Sequence, residues 1–146
     1  MPLDTTQFPE HAERLVRHIP CCRPSTQRFL ADIIQRLSFS RRNRKRCESP
    51  EGFNHGLHSW TFSDWFMAFI GEAGEAANVA KKLKRYADGI PGNKESAVVL
   101  QKKLALELGD AACYLDLLAQ SAGLDIDACR EASFQSKSKE IGYVET

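Results

Sequence analysis

Glu72-Ala73-Gly74-Glu75 and Glu107-Leu108-Gly109-Asp110 each set two carboxylates three residues apart inside a run that is otherwise apolar and helix-favouring. On a helix, residues i and i+3 share a face one turn apart, so each motif presents both acids in one direction. That placement is electrostatically costly without a cation. Four carboxylates with no His or Cys beside them suit a hard ion that keeps part of its water, Mg²⁺ with Mn²⁺ as the alternative, rather than zinc. One Glu-x-x-Glu pair is an ordinary feature of a solvated helix. Two are harder to dismiss when flanked by Phe66, Met67, Phe69 and Ile70 and by Leu104, Leu106, Leu108, Tyr114, Leu115, Leu117 and Leu118, which leave little polar face. Acids embedded in apolar helices are expected to be partnered, because burying a lone charge costs several kcal/mol.

The elements that must position these acids follow from the stop and start signals. Asp88-Gly89-Ile90-Pro91-Gly92-Asn93 is a dense breaker. It ends one helix near Ala87 and lets the next begin near Glu95. Glu75 and Glu107 then lie equally far from the turn, ~18 Å along each axis at ~1.5 Å per residue, so an antiparallel pair brings the four acids to one level. Thr61 or Ser63 starts the first of these helices, the second runs to Ser121 before the Gly123 stop, and Asp125 caps a last helix to about Glu140. Upstream, Ser25 or Thr26 can cap a helix whose Phe29, Leu30, Ile33, Ile34 and Leu37 follow a 3, 4 spacing toward Cys47, and residues 48–61 read as a loop. Residues 1–24, with four prolines, read as an irregular arm or at most one short helix around Glu10 to His18. The expected fold is all-α: a bundle of about four helices over residues 25–146 with an antiparallel central pair. One chain has difficulty covering both faces of that pair, so self-association is expected to complete the bundle.

Composition bounds the function classes. The 146 residues, 42% hydrophobic with a net charge of +1, suit one domain with a modest core. Residues 1–60 hold ten Lys or Arg against six Asp or Glu, and residues 61–146 hold ten against thirteen. Arg41, Arg42, Arg44, Lys45 and Arg46 supply half of the first group. Such a run reads as a solvated helix end, with nucleic-acid contact or phosphate recognition as the alternatives. Five cysteines without a Cys-x-x-Cys argue against a disulfide framework and for a reducing, cytoplasmic setting. The four histidines have no zinc-like pairing, and His58 is expected in a loop, with a place at a site rim as the alternative. No stretch is long and apolar enough for a membrane span, and Met1 to Thr6 lack a signal-peptide pattern.

Taken together these residues resemble the MazG-like, all-α nucleoside triphosphate pyrophosphohydrolases, whose signature is Glu-x-x-Glu followed by Glu-x-x-Asp on the next helix. The resemblance runs over residues 41–143. It includes Asn43 to Cys47, Trp60 with Asp64-Trp65, Gly71 to Asn78, Lys81-Lys82, Glu107 to Asp110, Tyr114 to Leu118 and Phe134 to Ser138. It implies a Mg²⁺-dependent enzyme that splits a nucleoside triphosphate between the α and β phosphates, working as a dimer or tetramer. Relatives commonly have Asn after the closing Phe where Gln135 stands here, and the segment from Asp88 to Val99 is longer than in compact relatives.

A metal-bound polyphosphate needs carboxylates for the metal, cations for the remaining phosphate charge and a positioned water. Glu72, Glu75, Glu107 and Asp110 meet the first need, with Glu75 the candidate to orient or deprotonate the water. Lys82, two turns after Glu75, is the first candidate for a phosphate contact, followed by Lys81 and Arg85; the same Lys-Lys-x-Lys-Arg run also suits a solvated helix end. The resemblance adds Lys137. Trp60, Trp65 and Tyr114 offer stacking surfaces for a base, and Asn78 a polar edge. Two other classes compete: a nucleotide-binding regulatory module with little turnover, and a helical protein whose Arg41 to Arg46 stretch contacts nucleic acid, recognisable by a salt-dependent affinity. A di-iron bundle fits less well, since neither motif has the Glu-x-x-His form.

Overall fold

The structure, a computed structural model, describes residues 39–144. The chain divides into two compact units, Met1–Asn54 and His55–Thr146, and the boundary at 24/25 expected from the proline-rich arm falls outside the described residues. That arm, and the expected helix start at Ser25 or Thr26, lie outside the described residues. Every element among the described residues is helical, as the periodicity requires.

In the first unit the described part of helix α1 covers 39–48 and carries the basic run. The Arg44 guanidinium pairs with Glu48 at 3.1 Å, Arg46 donates to Asn43 Oδ1 at 3.1 Å, and the Arg46 guanidinium also sits 5.2 Å over the Phe53 ring. A tight turn follows, in which the Phe53 N–H reaches back to the Arg46 carbonyl at 3.1 Å. Gly52 passes so close that a Cβ there would stand 1.9 Å from the same carbonyl oxygen, so the backbone approach admits glycine alone.

In the second unit α2 is Phe62–Ala87, α3 is Ala97–Ser121 and α4 is Ile126–Ile141. Each begins where a side chain captures orphan N–H groups. Thr61 and Asp64 form a reciprocal capping box at α2, Ser96 Oγ accepts the Val99 N–H at α3, and Asp125 accepts the Ala128 N–H at 2.9 Å at α4. The α3 start falls two residues beyond the expected Glu95, because Ser96 takes the cap while Glu95 pairs with Lys103. Gly142 closes α4 at φ 71°, the left-handed position that suits glycine.

The helices α2 and α3 run antiparallel. As numbers rise along α2 the neighbours on α3 fall: Trp65 faces Tyr114 and Glu72 faces Glu107. A parallel return is excluded by length, since the link 88–96 spans at most ~30 Å while the 26 residues of α2 extend ~39 Å. Their buried residues are Trp65, Ala76 and Val79 on α2 and Leu100, Ala111, Asp116, Leu117 and Ala119 on α3. Leu57, in the approach to α2, is also buried, and its carbonyl accepts the Trp65 indole N–H at 3.0 Å. Each fully buried large apolar side chain contributes about 1.5–3 kcal/mol.

The expectation that the acidic motifs are enclosed by apolar side chains needs correction. Phe66, Met67, Ile70, Leu106 and Leu108 are exposed, with Met67 and Leu106 at 69%. Phe62, Phe66 and Ile70 recur every four residues, and Phe66, nine residues before Glu75, lies about 180° around the helix from it. The hairpin therefore carries acids on one side and an uncovered apolar stripe on the other. No described helix is long and apolar enough to cross a membrane.

The α2 cap makes a stability prediction. The Thr61 hydroxyl and then the Thr61 backbone N–H hold the Asp64 carboxyl below its ordinary value. A lowered acid pKa stabilises the fold above the unfolded value, and that share is lost as pH falls through the folded one. Thr61→Ala is expected to lower stability by about 1 kcal/mol at neutral pH, seen as a lower urea midpoint with an unchanged slope. The gap between the two proteins should narrow as pH drops below about 4.

Candidate metal centre

The carboxylates of Glu72, Glu75 and Glu107 converge, each offering an oxygen within 4.8 Å of the others. Helical geometry explains why. Glu72 and Glu75 share the α2 face that turns toward α3, and the antiparallel register brings Glu107 to their level. Glu72 and Glu107 are half-buried and Glu75 is exposed. Asp110, one turn beyond Glu107, is exposed and stands outside the converging trio, yet its charge reaches Glu72. Burial of the carboxyl, then the negative charges of Glu75, Asp110 and Glu107, push Glu72 above the ordinary carboxylate range. None of the four acids pairs with a described basic side chain.

The donor set fits a hard divalent cation. Oxygens bound to one Mg²⁺ stand about 3–4 Å apart, so small side-chain rotations would bring the trio into a common shell. All donors are carboxylate oxygens, and no described His or Cys joins them. Glu72, Glu75 and Glu107 would hold the ion, and Asp110 adds negative charge beside them.

The aromatic candidates separate. Trp65 is 1% exposed and its N–H is used by Leu57, so it belongs to the core and offers a ligand no open face. Trp60, half-buried, packs on Trp65 with ring centroids 4.6 Å apart, and Tyr114 lies 6.4 Å from Trp65. His55, overlooked in the sequence, meets Trp60 edge-on at 4.3 Å, and its Nδ1 lies 2.5 Å from Ser59 Oγ. His58, expected in a loop, is there, exposed and outside these ring contacts. Nothing in a Gly-containing loop without periodicity marks His55 in advance. Trp65 is seven residues before Glu72 and Tyr114 seven after Glu107, so the aromatic cluster sits about 10 Å along the hairpin from the acids.

No family model, curated protein or solved structure matches the chain.

The cationic candidates separate too. Asn93 donates to the Lys82 carbonyl at 2.8 Å, fixing the backbone there, and the Lys82 side chain is half-buried. Lys81 and Asn78 are exposed on α2. Arg85 donates to the Pro91 carbonyl at 3.0 Å, so its guanidinium clasps the turn rather than facing the acids. Lys137 pairs with Glu140 at 2.8 Å on α4. Lys103, not singled out by sequence, pairs with Glu95; its place one turn before Glu107 was the available signal.

Charge crowding makes the site testable without a substrate. Two like charges at 4–5 Å repel by about 1 kcal/mol in water and by several times that in a partly buried setting. In EDTA, Glu75→Gln is expected to raise the thermal midpoint by about 2–4 °C. Millimolar Mg²⁺ should raise the midpoint of the unmodified protein and leave the variant nearly unmoved, as calorimetry would show.

Proposed function

We propose that the protein is a Mg²⁺-dependent nucleotide pyrophosphohydrolase that converts an NTP or dNTP to the monophosphate and pyrophosphate. The observation that carries this reading is the convergence of Glu72, Glu75 and Glu107 from two helices, without a basic partner among the described residues. The resemblance of both motifs to the MazG-like signature supports it.

When bound, Mg²⁺ would neutralise polyphosphate charge and make a bound water more acidic. Glu72 and Glu107, half-buried and on facing helices, anchor the metal-binding level, and Asp110 completes it. Glu75, the exposed member of the trio, orients the attacking water and takes its proton. Lys82, with Lys81 beside it, meets phosphate charge on the turn side of the acids. Trp60 and Tyr114 receive the base on the opposite side, where stacking tolerates any base. Asn78, one turn after Glu75 on the turn side, reaches a phosphate oxygen rather than the sugar.

The reading includes a cytoplasmic setting and self-association as a dimer or tetramer. The exposed stripe of Phe62, Phe66 and Ile70, on the side of α2 away from Glu75, supports assembly. Light scattering should return a multiple of the chain mass, and Phe66→Asp should return the monomer.

The deciding experiment is pyrophosphate release with Mg²⁺ against a panel of canonical and modified NTPs and dNTPs. Release that falls about a hundredfold or more in Glu75→Gln is the expected result. Tight nucleotide binding without product would replace the enzyme with a binding module, and full activity in Glu75→Gln would overturn the assignment of the acids.

A further inference from the structure

The turn that closes the hairpin carries a charge that the chain as a whole conceals. Between residues 81 and 103 stand seven Lys or Arg against only Asp88 and Glu95, an excess of five positive charges in a chain whose net charge is +1. Lys81 and Lys82 serve substrate phosphate in the reading above, and setting them aside still leaves an excess of three. Lys94 in the link and Lys102 on α3 are exposed and form no ion pair among the described residues.

Apolar side chains project among these cations. Tyr86 in the last turn of α2, Ile90 in the link and Val98 in the first turn of α3 are all exposed. They are separate from the stripe on which self-association rests: Ile70, its member nearest the turn, precedes Ala87 by seventeen residues, about 25 Å along α2. The link holds its shape through its own bonds. The Ile90 N–H donates to the Arg85 carbonyl at 2.9 Å, the Arg85 guanidinium to the Pro91 carbonyl at 3.0 Å, and the Asn93 amide to the Lys82 carbonyl at 2.8 Å. Aliphatic side chains held among cations gain little from a nucleic-acid backbone, whose contacts are made through charge and hydrogen bonds. The boundary of an anionic bilayer satisfies both kinds of group, taking apolar side chains between the headgroups and lysines at the lipid phosphates.

We propose that the turn end of the α2–α3 hairpin is a docking surface for an anionic phospholipid bilayer, with Tyr86, Ile90 and Val98 entering the headgroup boundary and Lys94 and Lys102 meeting its negative charge. The charge distribution favours an end-on approach. Glu75 lies about 18 Å along α2 from the turn and Glu107 about 15 Å along α3, roughly two screening lengths at physiological salt, so the surface repels the acids weakly while it attracts the nearby lysines. At that distance the carboxylates stay in water. Docking therefore holds the protein at a surface without filling the metal-binding level.

Sedimentation of the full chain with lipid vesicles tests the proposal. At about 0.1 M salt, vesicles of phosphatidylcholine with about 30% phosphatidylserine should carry the protein down, vesicles of phosphatidylcholine alone should not, and about 0.5 M salt should release most of it. Lys94→Gln combined with Lys102→Gln is expected to weaken binding about twentyfold, and Ile90→Ser about fivefold. Circular dichroism and a thermal midpoint that match the parent show that each variant is folded. The apolar variant separates two anionic partners, since a nucleic-acid duplex should be indifferent to it. Absence of sedimentation with phosphatidylserine vesicles overturns the proposal, as does vesicle binding that both variants leave unchanged. Tighter binding to mixed-sequence duplex DNA than to vesicles, lost in the lysine variant and kept in Ile90→Ser, would replace the lipid surface with a nucleic acid. Pyrophosphate release in solution is independent of all these results, because neither variant touches the metal-binding acids.

Discussion

The antiparallel register of α2 and α3 is the constraint on which everything else depends, because it brings negative charges together that would be apart in either helix alone. Two acids on one helix face are tolerable in water. A third from the facing helix adds repulsion that the isolated helices never meet, together with the desolvation seen at Glu72. The same two helices supply the opposing term. Trp65, Val79, Leu100 and Leu117 are buried on them, each worth a few kcal/mol if fully transferred from water, so rotating the pair to separate the acids would uncover more than it relieved. A site of this kind is crowded because its scaffold is cheaper to keep than to rearrange.

The register is secured at both ends of the hairpin. At the turn, Lys84 pairs with Asp88, Arg85 with the Pro91 carbonyl, and Asn93 with the Lys82 carbonyl, while Gly89 and Gly92 adopt positive φ. These bonds tie the link to α2 rather than leaving it to wander. At the open end the approach to α2 folds its Leu57 carbonyl onto the Trp65 indole, and Trp60 and His55 pack against that ring. A polar contact thus sets the direction of a large aromatic side chain, and that side chain in turn sets where the half-buried Trp60 stands. The acids lie between two fixed ends, and their separation is inherited from backbone geometry more than from contacts of their own.

Amphipathicity in this hairpin does not have the usual form of one wet face and one dry one. Residues such as Glu75 and Phe66 are both exposed on α2 but on opposite sides, so one helix offers solvent a charged surface and an apolar one. α3 behaves differently along its length: Leu106 and Leu108 are uncovered, whereas Asp116, Leu117 and Ala119 farther on are buried. Even a buried acid is met with a partner there, Gln120 donating to Asp116 at 2.9 Å. Hydrophobicity alone therefore could not say which apolar residues form the core. Only the position of the neighbouring helix decides it.

Much of this was legible in the chain itself. The Asp88 to Asn93 breaker, the Thr61 and Asp125 caps and the stop at Gly123 are local signals, dependent on backbone conformation within a few residues, and they placed the helix ends to within two residues. The equal spacing of the two acidic motifs from the turn was likewise enough to expect their meeting, because helix rise is constant. What the tertiary structure alone decided was how each side chain is used. It put Trp65 in the core, turned Arg85 onto the turn, left Asp110 outside the converging trio, and brought His55 to Trp60 and Glu95 to Lys103. Those outcomes depend on contacts between residues distant in sequence or held in an aperiodic loop, where neither period nor spacing carries information, so residue type could nominate them but only packing could choose.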